Sequence, residues 1–295
     1  MGIELERLEK PLRKLRKSLK EWPSDPPVEM VHKLRTQTRR MEAIVSSFLL
    51  DQEPEIRRLL KAMKPVRKAA GEVRDMDVLV ADALTLPDAA ENESIIRLVE
   101  HLGTMRDKSA GKLLKVITVQ RKRARRDLKQ CLRLVRGGFS NKKLQNMQAL
   151  PAAAVGVATN LTTSLRRWPR LNQANIHEFR KQVKQLRYIL QMAESSGASP
   201  NRGSETAWLD ALGKVKDRIG DWHDWCELEQ IAHDVLDKKD DGATLKQIGE
   251  TVNNRFERAV ATANKMRARY LSGGTGGRRG PLNDSVVKAA ARLAG

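Results

Sequence analysis

The chain has 295 residues, 40% of them hydrophobic, 31% charged and only 4% aromatic, with 56 Lys+Arg against 36 Asp+Glu for a net charge of +20. That apolar share excludes wholesale disorder, and no window approaches the roughly 20 apolar residues of a membrane span. Two cysteines, Cys131 and Cys226, are too few for a disulfide framework, so a reducing compartment is expected.

In chain order, Met1–Lys10 is charged and lacks an apolar stretch, so no secretory signal is expected. Val31, Leu34, Met41, Val45 and Phe48 then follow a 3.6-residue period, with Thr38 filling the gap in the stripe. The segment Glu91–Arg136 is long and carries Gly103 and Gly111, where it is expected to bend or divide. In the second half Ile176, Phe179, Val183, Leu186 and Leu190 repeat the helical period. Breaks rich in Pro, Gly, Ser, Asn or Asp fall at Trp22–Pro27, Leu84–Asp88, Gly137–Asn141, Trp168–Asn175, Ser195–Ser204 and Lys238–Gly242. Ser272–Gly280 (SGGTGGRRG) has the composition of a flexible linker, opening a Gly-rich tail over 272–295. Strand-type alternation is absent. The fold class expected is all-α, built of antiparallel helical bundles.

The chain also repeats itself. VHKLRTQTRRME from Val31 aligns with IHEFRKQVKQLR from Ile176, pairing His32 with His177, Arg35 with Arg180, and Arg39 with Lys184. VRKAAGEVRDMDVL from Val66 aligns with VKDRIGDWHDWCEL from Val215, pairing Arg67 with Lys216, Gly71 with Gly220, and Asp75 with Asp224. Two ordered matches at similar spacing imply two related helical halves with pseudo-twofold symmetry. Repeat one is expected at about 5–140 and repeat two at about 150–271.

On a helix His32, Arg35, Arg39 and Glu42 form one stripe, about 100° round from the apolar one. His177, Arg180, Lys184 and Arg187 reproduce it, with Arg in place of Glu42. Such a row is either a solvated helix edge or a set of rungs, about 4.5–6 Å apart, suited to an extended anion. A second stripe holds Lys64, Arg67, Gly71 and Arg74. There Gly71 and Gly220 either permit tight helix packing or open a groove lined by Arg67, Arg74 and Lys216. Asp75 and Asp224 are expected to orient Arg or Lys side chains.

Between Lys108 and Lys143 the chain holds 13 basic residues and one acid, Asp127. Lys108, Lys112, Lys115, Lys122, Arg126, Lys129, Arg133 and Arg136 line one helix face, opposite Leu114, Ile117, Ala124, Leu128 and Val135. Arg121 sits within the apolar frame and needs a partner or an anion; Arg125, one turn on, is placed to share it.

Metal binding is not expected. Glu29/His32, His223/Glu227 and Glu229/His233 have helical spacing, but a di-iron bundle needs a second Glu-x-x-His, and Ala174 stands where its Glu would be. No residue set supports catalysis, and no cofactor motif is present. Nucleic acid is the rival partner, through its phosphate backbone. With two Tyr and four Phe, stacking platforms for bases are scarce.

The repeated His-x-(Leu/Phe)-Arg-x-x-x-(Arg/Lys)-x-(Leu/Met) and the Gly-x-x-(Arg/His)-Asp motif resemble the CHAD family, the conserved histidine α-helical domain, over roughly Leu5–Leu271. The resemblance implies two four-helix bundles related by internal symmetry. It also implies binding of inorganic polyphosphate in a basic central groove, and a cytoplasmic place at polyphosphate granules. It carries over His32, Arg35, Arg39, His177, Arg180, Lys184 and Arg187 as binding candidates. Glu42, where the family has Arg, and His223 and Trp225 depart from its pattern, which suggests unequal halves. The histidines either donate hydrogen bonds to the anion, adding charge below about pH 6.5, or fix helix packing. The expected function is non-catalytic binding of polyphosphate, with a sequence-nonspecific RNA-backbone binder as the alternative.

Overall fold

Pro- and Gly-containing stretches punctuate the helical pattern, and the computed structural model describes residues 2–23, 26–47, 53–136, 156–195 and 202–271. Among these residues every regular element is an α-helix. They are α1 (Gly2–Lys20), α2 (Val28–Ser47), α3 (Pro54–Ala83), α4 (Glu93–Arg136), α5 (156–166), α6 (Ile176–Ser195), α7 (Arg202–Val235) and α8 (Gly242–Tyr270). Phe48, the Gly137–Asn141 break and the Ser272–Gly280 linker lie outside the described residues. No described helix is long and apolar enough to cross a membrane.

Two boundaries differ from the periodicity. α3 begins at Pro54, a start that the sequence pattern passes over. Proline suits the first helical turn, where its missing N–H has no intrahelical partner anyway. Conversely α4 runs unbroken for 44 residues through Gly103 and Gly111, about 66 Å at 1.5 Å per residue. Leu102 and Leu113, one and two residues from those glycines, are fully buried, and this packing outweighs a propensity cost of about 1 kcal/mol per glycine. Its start is capped by Asn92, whose Oδ1 accepts the N–H groups of Ser94 (3.0 Å) and Ile95 (3.2 Å). Just before it, Asp88 takes a left-handed φ of 56° that a short polar side chain tolerates.

The chain divides into two compact units, Met1–Lys143 with Ile231–Thr244, and Leu144–Gln230 with Leu245–Gly295. In the first, α1 packs on α2 and α4, and α3 packs on the same two helices. Leu15, Leu34, Leu59, Val66, Leu113 and Leu128 are fully buried between them. Thr38 is buried within the apolar stripe because its hydroxyl donates to its own helix, at the carbonyls of Leu34 (3.0 Å) and Arg35 (2.9 Å). The turn between α7 and α8 completes this unit. Asp241, 3% exposed, accepts from Ser94 Oγ, from Arg97 at 2.5 Å and from the backbone N–H of Asp237 at 2.9 Å. The Ser94 hydroxyl is the largest influence holding its carboxyl below the usual range, with the Asp237 N–H and Arg97 adding to it. Asn92 also reaches Thr244 at 3.3 Å.

In the second unit Ile176, Phe179, Val183 and Leu186 of α6 are fully buried, as are Leu212 and Val215 of α7. Trp168 stands edge-on to Phe179 at 5.5 Å, and Trp222 packs on Phe256 at 5.3 Å. Arg255 of α8 holds Asp221 at 2.6 and 2.8 Å and lies over the Trp225 ring at 5.5 Å.

Candidate functional site

Helical periodicity places the polar stripe of α2 beside its apolar one, and α3 presents its own stripe to it. Three contacts cross this seam in the first unit. Arg74 Nε donates to His32 Nδ1 at 3.3 Å, Arg35 pairs with Asp75 at 3.0 Å, and Arg67 pairs with Glu42. Asp75 thus holds an arginine as expected. Glu42, which departs from the repeat, holds Arg67, so two of the candidate cations carry internal carboxylate partners. His32 and Arg39 are exposed on the same edge.

The second unit arranges the aligned positions differently. Arg180 of α6 donates through Nε to the Lys216 carbonyl of α7 at 3.2 Å. Its guanidinium lies over Gly220, where a Cβ would stand 2.6 Å from Nη2. Arg187 lies over Gly213 less closely, with Nε 3.4 Å from the Cβ position, an ordinary van der Waals contact. That Nε is buried and has no hydrogen-bond partner. At Gly220 the missing side chain makes room for the arginine. Gly213 aligns with Lys64, so the sequence carries no glycine match that marks this contact. Lys216 pairs with Asp217 at 2.5 Å, and Lys184 is half-buried on α6.

Gly71, aligned with Gly220, has nothing within 4 Å of a Cβ. Gly71→Ala is therefore expected to stabilise the protein by roughly 0.5–1 kcal/mol in thermal unfolding. Gly220→Ala gains less, because Arg180 must swing aside and surrender the Lys216 carbonyl. Equal gains at both positions would show that Arg180 is not held there.

The histidines also differ. His177 and His223 bring their rings to 5.7 Å, and His223 Nδ1 is 3.6 Å from Glu227 Oε1. Partial covering of the ring, then the nearby Lys181, His223 and Arg180, hold the His177 pKa below the ordinary histidine value. Asp224 joins His223 and Glu227 in a group whose nitrogen and carboxylate oxygens lie within 4.8 Å of one another.

The remaining candidates lie on α4. Arg121 donates to the Lys20 carbonyl, satisfying the C-terminal end of α1. Arg125 is half-buried, its Nε buried without a hydrogen-bond partner. The basic line from Lys108 to Arg136 is exposed throughout; Lys112 pairs with Glu72 at 3.8 Å and Arg136 with Glu9 at 2.6 Å. Burial pushes the Cys131 thiol up to about 12 and the Cys226 thiol up to about 11, so neither supplies a thiolate near neutral pH.

A family model described as the CHAD domain matches residues 6–233. In structure the chain is similar to the crystal structure of the CHAD domain from the plant Ricinus communis, with a TM-score of 0.56 at 16% sequence identity, over 96% of this chain and 89% of that one. At that identity the likeness concerns the fold alone. No curated protein matches the chain.

Proposed function

Because the chain belongs to the CHAD family, we propose that it binds inorganic polyphosphate without catalysis, through the basic edges of α2–α3 and α6–α7. The observation that carries this reading is the seating of Arg180 and Arg187 over glycines, with a buried, unpartnered Nε on Arg187. Guanidinium groups held in place offer forked contacts to successive phosphate oxygens, and lysines such as Lys184 and Lys216 add point charge along the polymer. In this reading His32, Arg35, Arg39, Arg67 and Arg74 serve in the first unit. His177, Arg180, Lys184, Arg187 and Lys216 serve in the second. The protein acts in the cytoplasm, at polyphosphate granules.

RNA is the weaker reading. Trp22, Trp208, Trp222 and Trp225 are buried and Trp168 is half-buried against Phe179, so the tryptophans are core residues and not stacking platforms. Competition between long-chain polyphosphate and RNA of equal formal charge tests this directly. Polyphosphate is expected to bind more tightly, with affinity falling as salt rises. Equal affinity at every salt concentration would make the protein a general polyanion binder, and phosphate release during incubation would make it an enzyme.

A further inference from the structure

The two units differ at one aligned position in a way that changes when their charge is present. Arg74 in the first unit stands where His223 stands in the second. The first unit joins His32 to a guanidinium that is charged at all working pH values and donates into Nδ1. The second places two imidazoles with ring centroids 5.7 Å apart and planes tilted by 38°. Imidazole is the side-chain type whose charge changes within the physiological pH range, as a guanidinium's does not.

The surrounding charges leave room for such a change. On α6, Glu178 is paired with Lys181 at 2.9 Å, and Arg180 is directed at the Lys216 carbonyl. On α7, Asp224 and Glu227 adjoin His223, and Lys216 is paired with Asp217. Arg255 of α8 is engaged by Asp221 and Trp225. Asp224 and Glu227 beside His223 favour proton uptake there, and protonation of the two imidazoles adds positive charge to the basic edge that a phosphate chain would meet. Partial covering of the ring, then the nearby Lys181, His223 and Arg180, lower the His177 pKa and so favour its neutral form in the unbound protein.

From this arrangement, and resting on the polyphosphate reading, we infer that His177 and His223 form a proton-dependent phosphate subsite. A polyphosphate segment laid along α6–α7 draws protons onto the two imidazoles, which then donate to phosphate oxygens. Binding is accompanied by proton uptake in the second unit. The α2–α3 face carries fixed charge at the position aligned with His223.

Calorimetric titration of the full chain with long-chain polyphosphate, near pH 7 in two buffers of different ionisation enthalpy, measures the uptake. The expected result is uptake on the order of one to two protons, and affinity at least about tenfold tighter at pH 6 than at pH 8. The His177→Gln/His223→Gln variant should lose the uptake and the pH dependence. His101→Gln, on the exposed side of α4, should keep both. His223→Arg reproduces the pair of the first unit and should bind at pH 8 nearly as tightly as the parent does at pH 6. Folding of each variant is checked by near-ultraviolet circular dichroism. Buffer-independent heats with binding intact would overturn the subsite and leave polyphosphate binding standing. So would uptake that survives in the double glutamine variant. Absence of binding at both pH values would overturn the two together.

Discussion

Replacing Arg35 and Arg180 together by alanine is expected to weaken polyphosphate binding about a hundredfold at roughly 0.15 M salt, the largest loss for any pair of charges on the two faces. Each guanidinium is at the edge of a helix seam, and a charge-assisted hydrogen bond contributes about 1.5–3 kcal/mol. The comparison pair, Lys112→Ala with Arg133→Ala, removes the same formal charge from the exposed face of α4. It should cost no more than about thirtyfold, since exposed charges contribute about 1 kcal/mol or less each. Fluorescence titration with labelled polyphosphate compares the two. A greater loss from the α4 pair would move the binding surface to that helix. The fold should survive the arginine changes, because the ion pair of Arg35 is with the half-exposed Asp75.

Phe179→Ala should instead act on the fold. Phe179 is fully buried and meets the Trp168 ring edge-on. Emptying that volume costs about 3–5 kcal/mol, a large part of the roughly 5–15 kcal/mol that holds a domain folded. Four of the five tryptophans, Trp168, Trp208, Trp222 and Trp225, lie in the second unit, so tryptophan fluorescence during heating reports chiefly on its melting. The transition should move down by many degrees; an unchanged transition would mean that the ring does not hold the unit together.

Much of this architecture follows from periodicity because burial on a helix is periodic. Val31, Leu34 and Met41, and Ile176 through Leu186 at the same spacing, are all buried where the stripes place them. Prolines are less readable. Pro54 starts a helix while Pro11 and Pro65 sit within helices, and the distinction depends on whether neighbouring side chains find a core. The pairing of charges was legible only in part. The alignment set Asp75 opposite Asp224 and marked both as partners for bases, yet which base each acid meets depends on the rotation of α2 against α3. Glu42 looked like a lost arginine and is the counter-ion of Arg67. The glycines show the same limit: a repeat aligns Gly71 with Gly220, but only the three-dimensional placement reveals an arginine over one and open space at the other.

The α7–α8 turn has a consequence for how the molecule is made. Asn92, Ser94 and Arg97 at the start of α4 take their partners from Asp241 and Thr244, which belong to the first unit although almost 90 residues of the second come between. A ribosome adding about 5–20 residues per second delivers those partners roughly 5–20 s after α4 itself. For that interval the nascent first unit has a gap at one end that only the later half of the chain fills. Its last contacts become possible once the α7–α8 turn has been made, before α8 itself, so the first unit is completed by a turn that follows most of the second unit in the chain.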